Sequence, residues 1–168
     1  ARSIIANVIY FQSLMYNENY DFLMVSETWL NDKIPDSFIY PEGLLEIVRR
    51  DRVGNVGGGM RIAVMKAQSR VVIPVESKVK NVELVAIDVL AHNYRLRLIN
   101  VYRPPYSNEA ARLEADILYR ELFRLCSVNW PCFIVGDLNC SNIKWALNYA
   151  PSDGIQGLLL RLINKKNL

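Results

Sequence analysis

Three apolar segments of the chain run into polar side chains, and their ends are where chemistry is most economically sought. Leu23 and Val25 lead to Glu27; Leu96 and Leu98 lead to Asn100 and Tyr102; Phe133 and Val135 lead to Asp137 and Asn139. Within each set the residues lie two apart. Side chains alternate faces along a strand, so each set shares one face, apolar first and polar at the C-terminal tip. A carboxylate at the rim of a core is costly unless something compensates it. Two carboxylates with amide oxygens form a hard-oxygen donor set, suited to Mg²⁺ rather than zinc. Hydrated Mg²⁺ binds phosphate oxygens and stabilises the charge that develops as a phosphodiester is cleaved. Each residue alone has an ordinary alternative. A Glu or Asp just past a strand serves in turns and helix caps, and a tyrosine there packs half-buried.

Such tips need strands to carry them, and the hydrophobic pattern supplies these. Strands are expected at Asp21 to Glu27, around Leu45 to Arg49, and at Met60 to Met65, Val71 to Val75, Val82 to Leu90, Tyr94 to Tyr102 and Cys132 to Val135. His92-Asn93 joins two of them as a hairpin turn, and Pro104-Pro105 stops the second. Ser3 to Tyr16 has helical spacing, with Ile5, Val8, Ile9, Gln12, Leu14 and Met15 on its stripe. A helix from Glu109 to Cys126 is capped by Ser107 or Asn108 and buries Leu113, Ile117, Leu118, Leu122 and Leu125. Another follows from Asp153 to Ile163. With strands in the majority, the economical architecture is α+β, two packed sheets flanked by helices, in one domain over residues 1–168.

Composition narrows the class without deciding it. The chain is 168 residues long, 51% apolar and 22% charged, so it can bury a core and is no disordered tail. Its net charge of +3 permits a polyanionic partner without demanding one. The three cysteines Cys126, Cys132 and Cys140 fit no zinc spacing and read as reduced, mostly buried thiols of an intracellular protein. Neither a secretory signal nor a run of about 18 apolar residues is present, so no membrane partner is expected.

The same residues carry a family resemblance. Ser26-Glu27-Thr28-Trp29-Leu30 resembles the ETWL motif of LINE-type retrotransposon endonucleases, members of the DNase I-like endonuclease/exonuclease/phosphatase superfamily. Arg50-Asp51-Arg52 with Gly57-Gly58-Gly59 is similar to its DR…GGG segment, and Asn100 to Pro105 to its VYRPP. Gly136-Asp137-Leu138-Asn139 resembles GDFN, and Ile143-Lys144-Trp145 the I-x-W that follows. The motifs come in the family's order along nearly the whole chain.

The resemblance implies a four-layer α/β/β/α sandwich. It also implies that Glu27 holds a divalent metal (Mg²⁺, or Mn²⁺ in its place), Asp137 orients or activates the attacking water, and Asn139 binds the scissile phosphate. Tyr102 would hydrogen-bond a phosphate oxygen, and Arg103 would either contact the nucleic-acid backbone or serve as a solvated loop charge. The implied activity is nicking of double-stranded DNA to leave a 3′ hydroxyl for a C-terminal reverse transcriptase domain of the same protein, with a nuclear location.

This sequence also departs from the family. Ala1-Arg2-Ser3 is similar to the residues after a strand-ending Asn that is absent here, and the family's further Asp and C-terminal Ser-Asp-His-like triplet are not found. The sandwich is therefore expected to lack its first and last strands. The one histidine, His92, lies in the predicted hairpin turn. A site without that proton-transfer group loses about 10²–10⁴-fold in rate, so this chain alone is expected to be nearly inactive. Abasic-site repair, or cleavage of RNA, phosphoinositide or sphingomyelin, keeps the fold and changes the substrate; a non-catalytic remnant of such a domain is the third alternative. Gly57-Gly58-Gly59 lacks the Lys-Ser/Thr of a P-loop and reads as a flexible turn. Lys78, Lys80, Arg95 and Arg97 compose either a basic face for DNA or a merely solvated one.

Overall fold

The computed structural model describes residues 3–17, 20–40, 43–52, 58–66, 70–79, 83–105, 109–152 and 154–166. Seven strands and three α-helices are present among them: α1 (Val8–Asn17), β1 (Phe22–Ser26), β2 (Leu45–Arg50), β3 (Met60–Met65), β4 (Arg70–Val75), β5 (Glu83–Ala91), β6 (Tyr94–Tyr102), α2 (Glu109–Leu125), β7 (Cys132–Asp137) and α3 (Gly154–Lys166). Each expected strand and helix forms within a few residues of its expected bounds. Gly57, Lys80, Val82, the candidate caps Ser107 and Asn108, and Asp153 at the start of the last expected helix lie outside the described residues.

The strands form two sheets. One has the order β1-β3-β2, all antiparallel; the other has the order β4-β5-β6-β7, antiparallel except for β6 and β7. That parallel pair needs a crossover, which α2 provides. A two-residue turn at His92-Asn93 pairs Ala91 with Tyr94 and so sets the whole β5–β6 register.

Three hydrophobic layers separate four layers of structure. Phe11 and Met15 of α1 pack on Val25, Leu45 and Ala63. Met60, Ile62 and Val64 of the first sheet meet Val85, Ile87, Val89 and Leu98 of the second. Leu118, Leu122 and Leu125 of α2, with Leu159 of α3, cover Leu84, Ala86, Ile99 and Val101. Each fully buried leucine or isoleucine contributes roughly 1.5–3 kcal/mol, so these layers dominate the stability. The protein is an α+β, four-layer α/β/β/α sandwich.

Several details differ from the sequence-based expectation. The stripe of α1 is Ile4, Val8, Phe11 and Met15, whereas Ile9 is 79% exposed. A 3-10 turn at Ile5–Asn7 precedes the helix and shifts the phase of the pattern. Leu113 was placed on the buried side of α2 and is exposed, whereas Ala115 and Leu118 are buried. Arg95 and Arg97 do not form a solvated face. Both donate to the buried carboxylate of Asp88, with Trp130 stacked beneath their guanidinium groups.

β7 also departs from expectation. Phe133 and Val135 are 55% and 46% exposed, while Cys132 and Ile134 pack toward the helices. Phe133 lies beside Leu98 in register and therefore faces the space between the sheets, but no third-layer strand covers it. Among the described residues, nothing pairs with the outer edges of β1 and β7.

Candidate active site

The decisive geometry lies where the tips of β1, β6 and β7 meet. Asn100 is buried between the sheets, and its amide nitrogen donates to the carbonyls of Val25 (3.0 Å) and Arg61 (2.9 Å). It thereby ties the end of β1 to β6. Two residues further on, the Tyr102 hydroxyl donates to Glu27 Oε1 at 2.6 Å. Burial first, and then that carboxylate, push the phenol up to about 12. At neutral pH Tyr102 is therefore a protonated, oriented donor. In the parallel register Tyr102 lies beside Asp137, so both side chains leave the sheet on one face.

Glu27 reaches this point through an unusual backbone. Its φ is +55°, a left-handed value rare outside glycine and Asn/Asp. Simple alternation groups Glu27 with Leu23 and Val25, which pack toward α1. The left-handed turn instead sends the carboxylate across to Tyr102. Neighbouring backbone holds the turn. Ser3 and Ile4 donate to the carbonyls of Glu27 and Thr28, and Thr28 and Trp29 donate to the carbonyls of Gly59 and Gly58. Gly59 has φ +85°, and a Cβ there would lie 2.5 Å from Thr28 Oγ1, so glycine is what permits the close approach.

Asp137 and Asn139 are organised by a second strained loop. Asp137 is exposed, and its Oδ1 accepts the Asn139 backbone N–H at 2.9 Å. Asn139 has φ +49° and donates its side-chain amide to Arg103 O at 2.8 Å. Arg103 answers with hydrogen bonds to the carbonyls of Leu138 and Asn139. Its guanidinium thus positions the loop that bears the two polar residues. Left-handed non-glycine residues on two site loops are the kind of local strain that functional sites retain.

Sequence reasoning missed one charged neighbour. Glu83 pairs with Tyr102 across β5–β6, accepts hydrogen bonds from Arg52, and takes the Gly59 N–H at 3.1 Å. The signal was available, because a two-residue turn at His92-Asn93 places Glu83 opposite Tyr102 by counting. His92 itself sits exposed in that turn with φ +42°.

No protein-family profile matches the chain, and no curated protein sequence matches it. Solved structures do. An AP endonuclease from Leishmania major aligns over 98% of this chain and 62% of its own, with a TM-score of 0.68 at 15% identity. The chain has the DNase I-like fold. The 3′ phosphatase NExo from Neisseria, bound to a product DNA hairpin, aligns over 97% of this chain and 67% of its own (TM-score 0.68, 12% identity). The endonuclease domain of TRAS1, a telomere-specific non-LTR retrotransposon, aligns over 98% and 68% (TM-score 0.63, 12% identity). The chain thus spans roughly two thirds of the length of these DNase I-like structures.

Within this DNase I-like frame, Glu27, Tyr102, Asp137 and Asn139 come from three strand tips at one end of the sandwich. Among the described residues no three histidine, cysteine or acidic side chains cluster to hold a metal ion. The donors present still fit Mg²⁺, which keeps several waters and takes one or two carboxylates: Glu27 is bonded to Tyr102, whose register neighbour on β7 is Asp137. A cleft of about 280 Å³ between β7 and α3, lined in part by Ile134, Trp145 and Ile163, reaches Asp137 and Asn139. It touches neither Glu27 nor Tyr102, so it flanks the site and does not contain it.

Proposed function

We propose that this site hydrolyses phosphodiesters with Mg²⁺ bound through Glu27, and that its substrate is double-stranded DNA. The observation that carries the reading is the Tyr102–Glu27 hydrogen bond, which joins the two sheets at the tips where Asp137 and Asn139 also emerge. When bound, the metal supplies charge stabilisation at a phosphate oxygen.

The chain's own residues do the rest. The Tyr102 phenol keeps its proton at neutral pH and is a donor to an anionic oxygen. Asp137 is an exposed carboxylate and would accept a hydrogen bond from the attacking water. Asn139 offers an amide on a loop fixed by Arg103. His92 lies in the β5–β6 turn, so no described histidine stands ready to protonate the leaving group.

DNA as the polymer is supported by the DNA-processing enzymes that share this fold. The finer reading is a LINE-type nick that leaves a 3′ hydroxyl for an attached reverse transcriptase in the nucleus, and it rests on the ordered ETWL, DR…GGG, VYRPP and GDFN-like motifs. Arg103 would contact the DNA backbone only with those N–H groups that its loop carbonyls leave over.

The test is binding and nicking of supercoiled plasmid by the purified chain, with Mg²⁺ and with a chelator. Mg²⁺ is expected to tighten duplex binding and to support slow nicking, and Glu27→Gln to remove both effects. Binding that is indifferent to Mg²⁺ and to Glu27→Gln overturns the proposal.

A further inference from the structure

A pair of thiols lies far from these strand tips. Cys126 follows the last turn of α2, where its N–H donates to Leu122 O, and Cys132 opens β7. Their Sγ atoms are 3.5 Å apart and hydrogen-bonded to each other. Neither is in a disulfide. Only residues 127–131 separate them, and a disulfide requires the sulfurs to close to about 2.05 Å. A short loop between a helix end and a strand start can absorb a shift of that size.

The surroundings favour reaction of this pair over Cys140. Arg97 donates to Leu125 O beside Cys126, and Lys166 donates to Ser127 Oγ. Both cations lower the Cys132 thiol, but the largest effect is its hydrogen-bond pairing with Cys126, and together they outweigh burial. The same pairing, with burial, pushes the Cys126 thiol up. Thiolate character therefore sits on half-buried Cys132, and thiolate is the nucleophilic form. Cys140 has its thiol raised by burial and donates to Leu138 O at 3.3 Å.

We propose that Cys126 and Cys132 form a reversible dithiol–disulfide site whose oxidant is a hydroperoxide. The Cys132 thiolate attacks one peroxide oxygen, the O–O bond breaks, and the departing hydroxide takes a proton to leave as water. The resulting sulfenic acid is attacked by the Cys126 sulfur. The S–O bond breaks, and the second hydroxide leaves as water with the proton of Cys126. Two thiols lose two electrons and two hydrogens, and one hydrogen peroxide becomes two waters. The bond would clamp the C-terminus of α2 to the start of β7. It does not depend on the nuclease reading.

The purified chain, reduced and then treated with hydrogen peroxide, is alkylated under denaturing conditions and cleaved with trypsin. The peptide 125–144 contains all three cysteines. The expected product carries one alkyl group, placed on Cys140 by fragmentation, and regains three after dithiothreitol. Cys126→Ser is expected to leave a sulfenic acid on Cys132 that dimedone traps. Should that variant fail to fold, the wild-type chain and Cys140→Ser still decide the matter, because both must form the bridge. Retention of all alkylation sites after peroxide, a bridge to Cys140, or over-oxidation of Cys132 without a bridge overturns the proposal.

Discussion

The Tyr102 hydroxyl and Glu27 Oε1, 2.6 Å apart, are contributed by different sheets and 75 residues of chain separate them. Their bond makes the phenol's proton a reporter on how the sheets sit together. By NMR of the assigned tyrosine ring carbons, Tyr102 is expected to titrate at about 12. Glu27→Gln should lower that value only partway toward 10, since burial is the larger cause. The folded state holds this proton more tightly than the unfolded chain does. Its contribution is therefore complete below pH 10 and fades between 10 and about 12. A Tyr102 hydroxyl that titrates near 10 would contradict the contact.

Asn100 is the hinge pin of the same junction. Asn100→Leu removes the amide that links the carbonyls of Val25 and Arg61 to β6 across the buried interface. The expected loss is about 1–3 kcal/mol in urea unfolding, from two buried hydrogen bonds. A neutral effect would mean that water already reaches the sheet interface.

Gly136 precedes Asp137 with φ +139°, and a Cβ there would lie 1.8 Å from Val101 O. Gly136→Ala must therefore push β7 away from β6. A destabilisation of about 2–4 kcal/mol is expected, together with loss of Mg²⁺-dependent DNA binding. Stability that stays at the wild-type level would show the strand to be far more compliant than this packing allows.

Asp88 pairs with Arg97 and Arg95 beneath Trp130. Burial raises its carboxyl, but the two guanidinium groups outweigh that and hold it below the usual range. Its stabilising contribution is thus present above the unfolded pKa near 3.8 and is lost as pH falls below it. Asp88→Ala strands the buried Arg97 guanidinium and is expected to cost about 3–5 kcal/mol at pH 7 by denaturant titration. The penalty should shrink in acid.

Phe133 and Val135 expose apolar surface on an unpaired edge strand, an arrangement prone to self-association. Replacing both with threonine is expected to change stability by less than about 1 kcal/mol, because little area is buried. It should shift light scattering toward monomer. Unchanged scattering would place any self-association elsewhere.

Alternation and turn chemistry made much of this molecule legible from its residues. The His92-Asn93 turn predicts the β5–β6 register, and the apolar runs predict all seven strands. The site was legible as a list of strand tips, yet its geometry was not. Period-two counting assigns Glu27 to the α1 face, and only its left-handed φ brings it to Tyr102. Counting also called Phe133 and Val135 core residues. They do lie on the inter-sheet face, but whether a face is covered depends on strand order, which no local pattern encodes. Arg95 and Arg97 looked like surface charge because their partner Asp88 lies on another strand.

The left-handed turn at Glu27 sets stability and activity against each other at one position. A non-glycine residue in that conformation costs about 1–2 kcal/mol, which glycine would recover. Glu27→Gly is then expected to relieve that backbone cost while stranding the Tyr102 hydroxyl and losing the carboxylate that the proposed chemistry needs. Selection for stability at this position therefore weighs a strained backbone against the contact that joins the sheets, and keeps the strain only as long as the contact outweighs it.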